Sequence, residues 1–552
     1  MRNNVKKLNM IINNKFTWFN RYDLVIFIIF VLFCSFFSFQ KLGNYKSPNT
    51  FYRFEDENII IDLKKQADIN QIKIFNGERE SDYNVYVSEN NSEYDLLTEY
   101  KCSGAFSWDV INIKYHKIRY IKLEFYEEAS VGEIGVYEDN KLISDTYITN
   151  SRRMINYLND EQELIPIKKS YMNSSYFDEV YFARTAYEYV NGLNIYEWTH
   201  PPLGKIIQSV PIYITGNMAP FTYRFMGCLA GILLVGVMYL FGTILFKKRK
   251  YGIYTALLMI LDTFRFAHTR MGTVDSHLVL FITLSIFFMY CFITNNKIRY
   301  LFLSGILFGL SFSVKWTGLY SGIALAIMYF YYLFKNKKIK FDYLIYGSIF
   351  FVFIPIFLYC SVYLVFNNNL YKTNSIENII KVNKKMYLYH SRLSDTHTFS
   401  SKWYSWPISY RPVWYHQVDI DDNNQETISG VGNIIIWYTS ILGVVYLLLI
   451  SILKRDKKAM FLLLCIGSLW LPYVFIKRIM YLYHFFPVLP FFFMSSIYFI
   501  KDLEDRCDFK KIFPIYLLLS TVFFIVYYPV VSGVKIDKKY TDSLEIYESW
   551  YF

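Results

Sequence analysis

The sequence predicts a polytopic α-helical membrane protein with one β-sandwich domain outside the membrane. Hydrophobic residues make up 54% of the 552 residues, which is too apolar for a soluble protein of this length. Most of them fall in runs long enough to cross a bilayer. One long hydrophilic segment after the first run instead contains short, alternating, β-branched stretches. The composition therefore excludes a soluble enzyme.

About eleven apolar runs predict the membrane spans, at roughly 24–39, 221–246, 251–267, 275–294, 300–314, 317–334, 343–366, 433–453, 459–476, 479–500 and 512–531. The first run follows a basic N-terminus and lacks a small-x-small cleavage site, so we expect an uncleaved helix with its N-terminus in the cytoplasm. The short basic loops KKRK, KNKKIK and KRDKK then face the cytoplasm, as the positive-inside rule requires. Their placement explains the net charge of +12 by contact with anionic lipid and argues against nucleic acid as a partner.

The chain divides into six predicted parts: a cytoplasmic N-terminus with the first transmembrane helix (1–45), an extracytoplasmic β-sandwich (46–148), an outer loop (149–220), transmembrane helices 2–7 (221–366), an outer aromatic loop (367–432), and transmembrane helices 8–11 with an outer tail (433–552). This organisation predicts a multi-pass protein of the plasma membrane.

The strands of the sandwich are predicted from the stretches NIIIDL, INQIKIF, YNVYVS, AFSWDVINI, KIRYIKLEFY and GEIGVYE. The order of these phrases resembles the discoidin or coagulation-factor type C family, which implies a jelly-roll sandwich with a carbohydrate ligand. The alternative is a packing domain without a ligand. Among the seven cysteines only Cys102 lies in this segment, so we expect no internal disulfide, which is compatible with a bacterial surface.

The outer loop contains an acid pair, Asp178 and Glu179, followed by the rigid turn HPPLGK. EVYFARTAYEYV has apolar residues at helical spacing, so the pair begins a predicted amphipathic helix on the membrane surface. Acids at a helix N-terminus also have a purely structural explanation, because the helix dipole favours them. The two prolines of the turn would hold His200 and Lys205 in fixed positions.

Further polar residues are predicted at the outer ends of later spans: Arg265, His268, Arg270, Asp275 and His277 after the third span, Lys315 and Trp316 after the fifth, Trp403 and Trp406 in the aromatic loop, and Lys477, Arg478 and His484 near the tenth. Ionisable groups near membrane depth are costly and usually functional. This set indicates transfer from a lipid phosphate: cations bind the leaving phosphate, and a carboxylate takes the proton of an attacking hydroxyl.

Several motifs in order make the resemblance specific: FDE, HPPLGK, YRFMGCL, TRMGTVDSH, SVKWTGLY, WYSWP and YLYHFFPVLPF. Over about 175–500 the chain resembles the protein O-mannosyltransferases, which are multi-span glycosyltransferases of the GT-C fold class. The resemblance implies a polyprenyl- or dolichyl-phosphate-mannose donor and a Ser or Thr hydroxyl acceptor on a secreted protein. Eukaryotic members carry a MIR domain in a later loop, for which the loop at 367–432 is too short.

The resemblance also implies roles for site residues. Asp178 would be the catalytic base and Glu179 its acidic neighbour. The residues expected to bind the donor phosphate are Arg224, Arg270, Lys315, Arg478 and His484. Those expected to shape the site or hold the acceptor are His200, Lys205, Asp275, Trp403 and Trp406.

Each role has a structural alternative. Asp178 could cap its helix, and Asp275 could start one. Lys315 could reach to the interface without a ligand, and Arg478 with Lys477 could be interfacial anchors. His484 could be a satisfied histidine of the bundle. The tryptophans of WYSWP could belong to an aromatic belt.

Rival functions stay open at this point. A related lipid-donor glycosyltransferase could act on a lipid or cell-wall polymer. A lipid-sugar transporter would place its polar residues near the bilayer midplane in repeated helices, whereas these collect at one face. A sugar-sensing receptor leaves the acid pair unexplained. No cofactor besides the lipid-linked donor is expected; the sequence has no metal-ligand cluster, although a loosely bound divalent ion stays open.

Overall fold

The computed structural model describes residues 20–54, 57–150, 154–337, 341–365, 376–507 and 510–552. The predicted cytoplasmic residues 1–19 and the stretch 366–375 of the outer loop lie outside the described residues. The helices are α1 (Arg21–Phe39), α2 (Glu179–Asn191), α3 (Leu203–Thr215), α4 (Pro220–Phe246), α5 (Arg249–Leu261), α6 (Thr263–Thr269), α7 (Asp275–Asn295), α8 (Ile298–Val314), α9 (Tyr320–Lys335), α10 (Phe341–Ser348), α11 (Ile354–Val365), α12 (Ile376–Arg392), α13 (Ile434–Leu453), α14 (Lys457–Trp470), α15 (Leu489–Cys507), α16 (Ile512–Ser532) and α17 (Lys538–Asp542).

Among the described residues, nine helical segments are long and apolar enough to cross a membrane. Several of them extend a helix by a 3-10 or π turn, such as Trp316–Lys335, Phe341–Leu364 and Leu482–Cys507. The apolar helix α8 is shorter. This bundle confirms the predicted polytopic helical class, because every predicted apolar run is helical for most of its length.

The predicted span at 251–267 is helical but is broken in two. Helix α5 ends at Leu261, and Asp262 then caps α6 by accepting a hydrogen bond from the backbone N–H of Arg265 (2.8 Å). The same carboxylate accepts the indole N–H of Trp437 (2.7 Å). A carboxylate at this point competes for backbone donors, so one helix ends and a second begins at Asp262.

The two ends of the bundle carry different side-chain contacts. At one end, Asp23 of α1 pairs with Arg249 (2.7 Å), which belongs to the basic stretch KKRK. At the other end, Lys315 pairs with Asp275 (3.0 Å), joining the end of α8 to the start of α7. The loops predicted to be cytoplasmic and those predicted to be outside thus lie at opposite ends of the helices.

The hydrophilic segment folds into one curled antiparallel sheet rather than two separate sheets. Its strands are β1 (Tyr52–Phe54), β2 (Ile59–Asn76), β3 (Tyr83–Ser88), β4 (Asp95–Tyr100), β5 (Trp108–Phe125), β6 (Ala129–Glu138), β7 (Lys141–Leu142) and β8 (Tyr147–Thr149). The main order is β1-β6-β2-β5-β3-β4. The predicted pairs NIIIDL with INQIKIF and AFSWDVINI with KIRYIKLEFY are each a single long strand, because register shifts bend β2 and β5 without ending them.

The curled sheet packs directly on α2, the helix that begins at the acid pair. Phe106 and Trp108 of the sheet domain share a buried cluster with Ala183, Ala186 and Tyr187 of α2. The amphipathic helix predicted to lie on the membrane surface is therefore present, but its apolar face is covered by protein.

A smaller three-stranded sheet follows in the second outer loop, formed by β9 (Val413–Asp419), β10 (Asn424–Gly430) and β11 (Ile536–Asp537) in the order β11-β10-β9. Since β11 belongs to the C-terminal tail, the tail and this loop lie at the same end of the bundle.

Candidate functional site

A two-lobed cleft lies where the outer loops meet the helix ends. One lobe, of about 890 Å³, is lined by Trp316, Leu319, Arg392, Phe475 and Lys477 among others, and no acidic side chain of the described residues lines it. We call it the cation lobe. The other, of about 950 Å³, contains Asp178, Tyr181, Trp198 and Asp395 and is called the Asp178 lobe. The residues that line both lobes are Thr199, His200, Lys315, His390, Leu393, Arg478 and His484.

Asp178 faces this cleft at the start of α2. The preceding Phe177 has a left-handed φ of 51°, which is unusual for a residue with a side chain and often marks a functional position. The side chain of Asp178 makes no capping hydrogen bond, although it occupies the N-cap position of the helix. The capping explanation therefore finds no support in these contacts.

Burial raises the pKa of Asp178 to about 7, while the nearby Lys315 cation opposes the shift. A carboxyl group with such a pKa changes protonation state near neutral pH. This is the range in which a general base works best, because it is both free to accept a proton and basic enough to hold it.

Glu179 points away from the cleft, into the protein. Both its side chain and that of Arg224 are fully buried. Arg224 Nε and Nη2 each donate to one carboxylate oxygen of Glu179 at 2.7 Å, and its other N–H groups reach the carbonyls of Leu42, Tyr171 and Ser174. All five donors of the guanidinium are thus used. Arg224 does not line the cleft, which differs from the expected phosphate contact, and Glu179 positions the loop before Asp178.

Arg270 also lies away from the cleft. It donates to the backbone carbonyls of Ser38 (3.2 Å), Gln40 (2.7 Å) and Lys41 (2.8 Å) at the C-terminal end of α1. A cation there satisfies the free carbonyls of a helix end and interacts favourably with its dipole. The expected phosphate contact of Arg270 is therefore replaced by a role in fixing the first span.

Lys315 stands between the two lobes. Its Nζ lies 3.0 Å from Asp275, whose other oxygen is 3.7 Å from His268 Nε2. His268 Nδ1 is in turn 2.9 Å from the hydroxyl of Tyr415. Asp275 thus orients Lys315 and leaves two of its ammonium hydrogens for a ligand. The expected role of Asp275 in site architecture stays a prediction.

The HPPLGK turn is held by Glu197, a residue that the sequence analysis did not single out. The Glu197 carboxylate accepts from Lys205 Nζ (2.5 Å) and contacts His200 Nδ1 (3.0 Å). Lys205 also donates to the carbonyls of Glu197 (2.6 Å) and His200 (2.8 Å). The Lys205 cation keeps the pKa of Glu197 well below its usual range despite burial. Lys205 is therefore a positioning residue, and His200 presents its ring to both lobes.

Arg478, which follows α14, lines both lobes of the cleft. Its Nη1 lies 2.8 Å from Nδ1 of His390, and His390 Nε2 lies 2.7 Å from the carbonyl of Thr199. His390 belongs to α12, in the second outer loop, and was not predicted. Arg478 therefore meets the cleft with support from two different loops.

His484 lines both lobes, and its side chain is buried. Its Nδ1 lies 3.0 Å from the Tyr481 carbonyl, whereas Nε2 has no hydrogen-bond partner among the described residues. Trp406 stacks on the His484 ring with centroids 5.9 Å apart. Trp403 and Trp406 line neither lobe, whereas the aromatic side chains Trp198 and Tyr389 line the Asp178 lobe.

A group able to hold a metal ion lies in the sheet domain, not in the cleft. Oxygens of Glu133, Asp160 and Glu161 lie within 4.8 Å of one another. Oε1 of Glu133 has no hydrogen-bond partner among the residues the structure describes, and burial raises the pKa of this carboxyl to about 8. Oxygen ligands of this type suit a hard divalent cation. The sequence analysis did not predict this group, because Glu133 is distant along the chain from the adjacent pair Asp160 and Glu161.

Sequence comparisons identify the family. A profile described as "Dolichyl-phosphate-mannose-protein mannosyltransferase" matches residues 199–360. A second, described as "C-terminal four TMM region of protein-O-mannosyltransferase", matches residues 375–550. The chain is 22% identical over 456 residues to a polyprenol-phosphate-mannose–protein mannosyltransferase of Mycobacterium tuberculosis, covering 68% of this chain and 86% of that protein. A relative with the same description from Mycolicibacterium smegmatis is 21% identical, with 68% and 87% covered.

The fold agrees with this result. The S. cerevisiae protein O-mannosyltransferase Pmt1-Pmt2 complex, solved with bound sugar donor, superimposes with a TM-score of 0.60 and 13% sequence identity, covering 68% of this chain and 89% of that chain. Since the two profiles describe one family and together match more than half of the sequence, the chain belongs to the protein O-mannosyltransferase family.

Proposed function

We propose that this protein transfers mannose from a polyprenyl-phosphate-mannose donor to Ser or Thr hydroxyls of secreted proteins. The observation that carries the proposal is the division of the cleft. Asp178, whose carboxylate has no ion-pair partner among the described residues, lies in one lobe, whereas Lys315, Arg478 and other cations line the other lobe, in which no acidic side chain of the described residues takes part. The relatives described as polyprenol-phosphate-mannose–protein mannosyltransferases support the same donor and acceptor.

The donor would occupy the cation lobe with its phosphate between Arg478 and Lys315. Arg478 offers a planar set of donors that fits phosphate oxygens, and Lys315 adds a point charge. The outer edge of the lobe is apolar: Phe475 is 85% exposed and Leu319 47% exposed, and each lies at the end of a candidate span. An isoprenoid tail leaving the lobe at this edge would enter the bilayer directly.

The acceptor hydroxyl would enter the Asp178 lobe. Asp178 accepts the hydroxyl proton as the oxygen bonds to the anomeric carbon of mannose, and the bond from that carbon to the phosphate oxygen breaks. The electron pair of the broken bond stays on the polyprenyl phosphate, whose charge Arg478 and Lys315 stabilise. A single displacement of this kind inverts the anomeric centre.

The proposed site faces the outside of the plasma membrane, with the N-terminus in the cytoplasm. The basic loop KKRK lies at the bundle end opposite the cleft, which supports this orientation. Membrane lipids are then partners of the spans. A carbohydrate ligand for the curled sheet stays a prediction.

Transfer of labelled mannose tests the function. Purified protein is incubated with radiolabelled polyprenyl-phosphate-mannose and a Ser/Thr-rich peptide from a secreted protein, beside the Asp178→Asn variant. Label should reach the peptide only with the wild type. Equal transfer by the variant would remove Asp178 as the base, and label in a lipid or polymer fraction instead of peptide would show a different acceptor.

A further inference from the structure

His390 connects three elements that the sequence places far apart. It lies on α12, its Nε2 is 2.7 Å from the carbonyl of Thr199, and its Nδ1 is 2.8 Å from Nη1 of Arg478. Thr199 precedes the HPPLGK turn, and Arg478 follows α14. The histidine ring also lines both lobes of the cleft.

These two contacts fix the protonation of the ring. A carbonyl oxygen can only accept, so Nε2 must carry the hydrogen. A guanidinium N–H can only donate, so Nδ1 must carry the lone pair. His390 is therefore neutral, with a single tautomer. Burial, and next the charge of Arg478, lower its pKa to about 4, which agrees with this state.

The contact with Nη1 uses one of the five N–H groups of Arg478. It is the hydrogen bond that the structure records for this side chain among the described residues. The remaining donors are free to meet oxygens in the cleft. Since a long arginine side chain loses much rotamer freedom when it binds a ligand, a partner that holds it in advance lowers this cost.

We propose that His390 is a positioning residue that aims the Arg478 guanidinium at the phosphate of the lipid-linked donor. The second outer loop thereby contributes to donor binding through a backbone-anchored imidazole. This inference rests on the proposed donor class and adds a residue that the family's motifs in this chain do not contain.

The alternative is that His390 only anchors α12 to the rest of the protein. The chain offers a matched control for that role. Asn383, on the same helix, accepts a hydrogen bond from the hydroxyl of Tyr359 (2.5 Å) and so joins α12 to α11 without contacting Arg478. Loss of this anchor should loosen α12 as much as loss of His390, but should leave Arg478 in place.

The test measures the dissociation constant of polyprenyl phosphate and the KM for the mannosyl donor in purified protein. His390→Leu should raise both by ~10-fold or more, because an oriented charge-assisted contact to phosphate is weakened, with a much smaller change in kcat. His390→Gln, whose amide keeps one donor and one acceptor, should restore much of the loss. Asn383→Leu should leave both constants near the wild-type values.

A double variant tests independently whether His390 acts through Arg478. In an Arg478→Leu background, His390→Leu should cause little further loss, since the two residues act as one unit. The inference is overturned if His390→Leu binds polyprenyl phosphate like the wild type, if Asn383→Leu weakens binding equally, or if the losses of the double variant are additive. Failure of wild-type protein to bind polyprenyl phosphate would instead reject the proposed donor class, and the inference with it.

Discussion

Two neighbouring acids, Asp178 and Glu179, belong to two different kinds of charge cluster in this protein. Glu179 belongs to an interior cluster with Arg224, in which every guanidinium donor has a protein partner. Asp178 belongs to a cleft cluster with Lys315 and Arg478, in which donors and acceptors stay open toward a cavity. One peptide bond separates the two acids, and the turn at Phe177 directs them to opposite sides.

The difference indicates that two adjacent acids can have different roles: one holds the structure in place, and the other is available for chemistry. A buried pair that is fully hydrogen-bonded fixes geometry, and breaking it leaves an uncompensated charge. An unpaired carboxylate has no such role, and its burial only makes ionisation more costly. Variants of each cluster should therefore affect different observables.

The largest effect is expected for Asp178→Asn. The variant keeps the shape of the side chain but cannot accept the acceptor proton, so kcat should fall by ~100- to 10,000-fold. The melting temperature should stay unchanged or rise slightly, because a buried ionisable group is removed. Turnover and thermal unfolding measured on the same preparation check this. The control is Asp145→Asn, at an exposed carboxylate of the sheet domain that does not line the cleft. A normal kcat would show that another group takes the proton.

Glu179→Gln should lower stability more than turnover, the opposite of the effect expected for Asp178→Asn. It leaves Arg224 charged and buried without its counter-ion, which costs about 3–5 kcal/mol of stability. The expected result is a large drop in melting temperature and in expression, while folded protein at low temperature retains catalysis better than Asp178→Asn. Thermal unfolding followed in detergent is the measurement. If stability is unchanged but turnover is lost, Glu179 belongs to the chemistry after all.

The pH dependence of kcat/KM should follow the ionisation of Asp178. Its pKa is raised to about 7, so the carboxylate is the active form and becomes protonated as the pH falls through this value. Below it, kcat/KM should decrease by about tenfold per pH unit, as expected for one essential base. A profile measured from pH 5 to 9 tests this. A flat profile down to pH 5 would mean that the base ionises well below neutral pH.

The smallest effect is expected for Arg270→Gln. Carbonyls at the end of α1 lose a cationic donor, and the cost should be about 1–2 kcal/mol of stability. Donor affinity should not change, because Arg270 does not line the cleft. Donor titration together with thermal unfolding distinguishes this expectation from the phosphate-binding role that the sequence suggested. A clear rise in donor KM at unchanged stability would restore that role.

The sequence predicted the helical membrane class and the cluster of outer helix ends, because apolar runs and polar motifs are local signals. Lys315, Arg478 and His484 line the cleft, and Asp275 pairs with Lys315. Their roles in binding the donor stay predictions. Arg224 and Arg270 could not be separated from them by sequence, since an arginine that caps a helix and one that binds phosphate look alike. Glu197 and His390 were missed because their partners come from distant loops.

The sheet illustrates a second limit. Strand alternation in β2 and β5 was visible, but the bulges that let each strand continue around a bend have no strong sequence signal. Two strands were therefore predicted where one exists. The contact between the sheet and α2 was equally hidden, because surface-facing and protein-facing apolar residues of an amphipathic helix follow the same period.

Because the curled sheet packs against α2, the sheet domain cannot be deleted without disturbing the rest of the protein. The backbone N–H of Trp108 donates to the Ser174 hydroxyl (3.1 Å), and the backbone N–H of Ser175 donates to the Phe106 carbonyl (2.9 Å). Both serines lie within four residues of Asp178. Excising residues 46–148 would expose Ala183, Ala186 and Tyr187 and remove the hydrogen-bond partners of the segment that leads to Asp178. A truncation designed on the apparent domain boundary would thus remove the packing support of the loop that carries Asp178, so the sheet is not a detachable accessory domain.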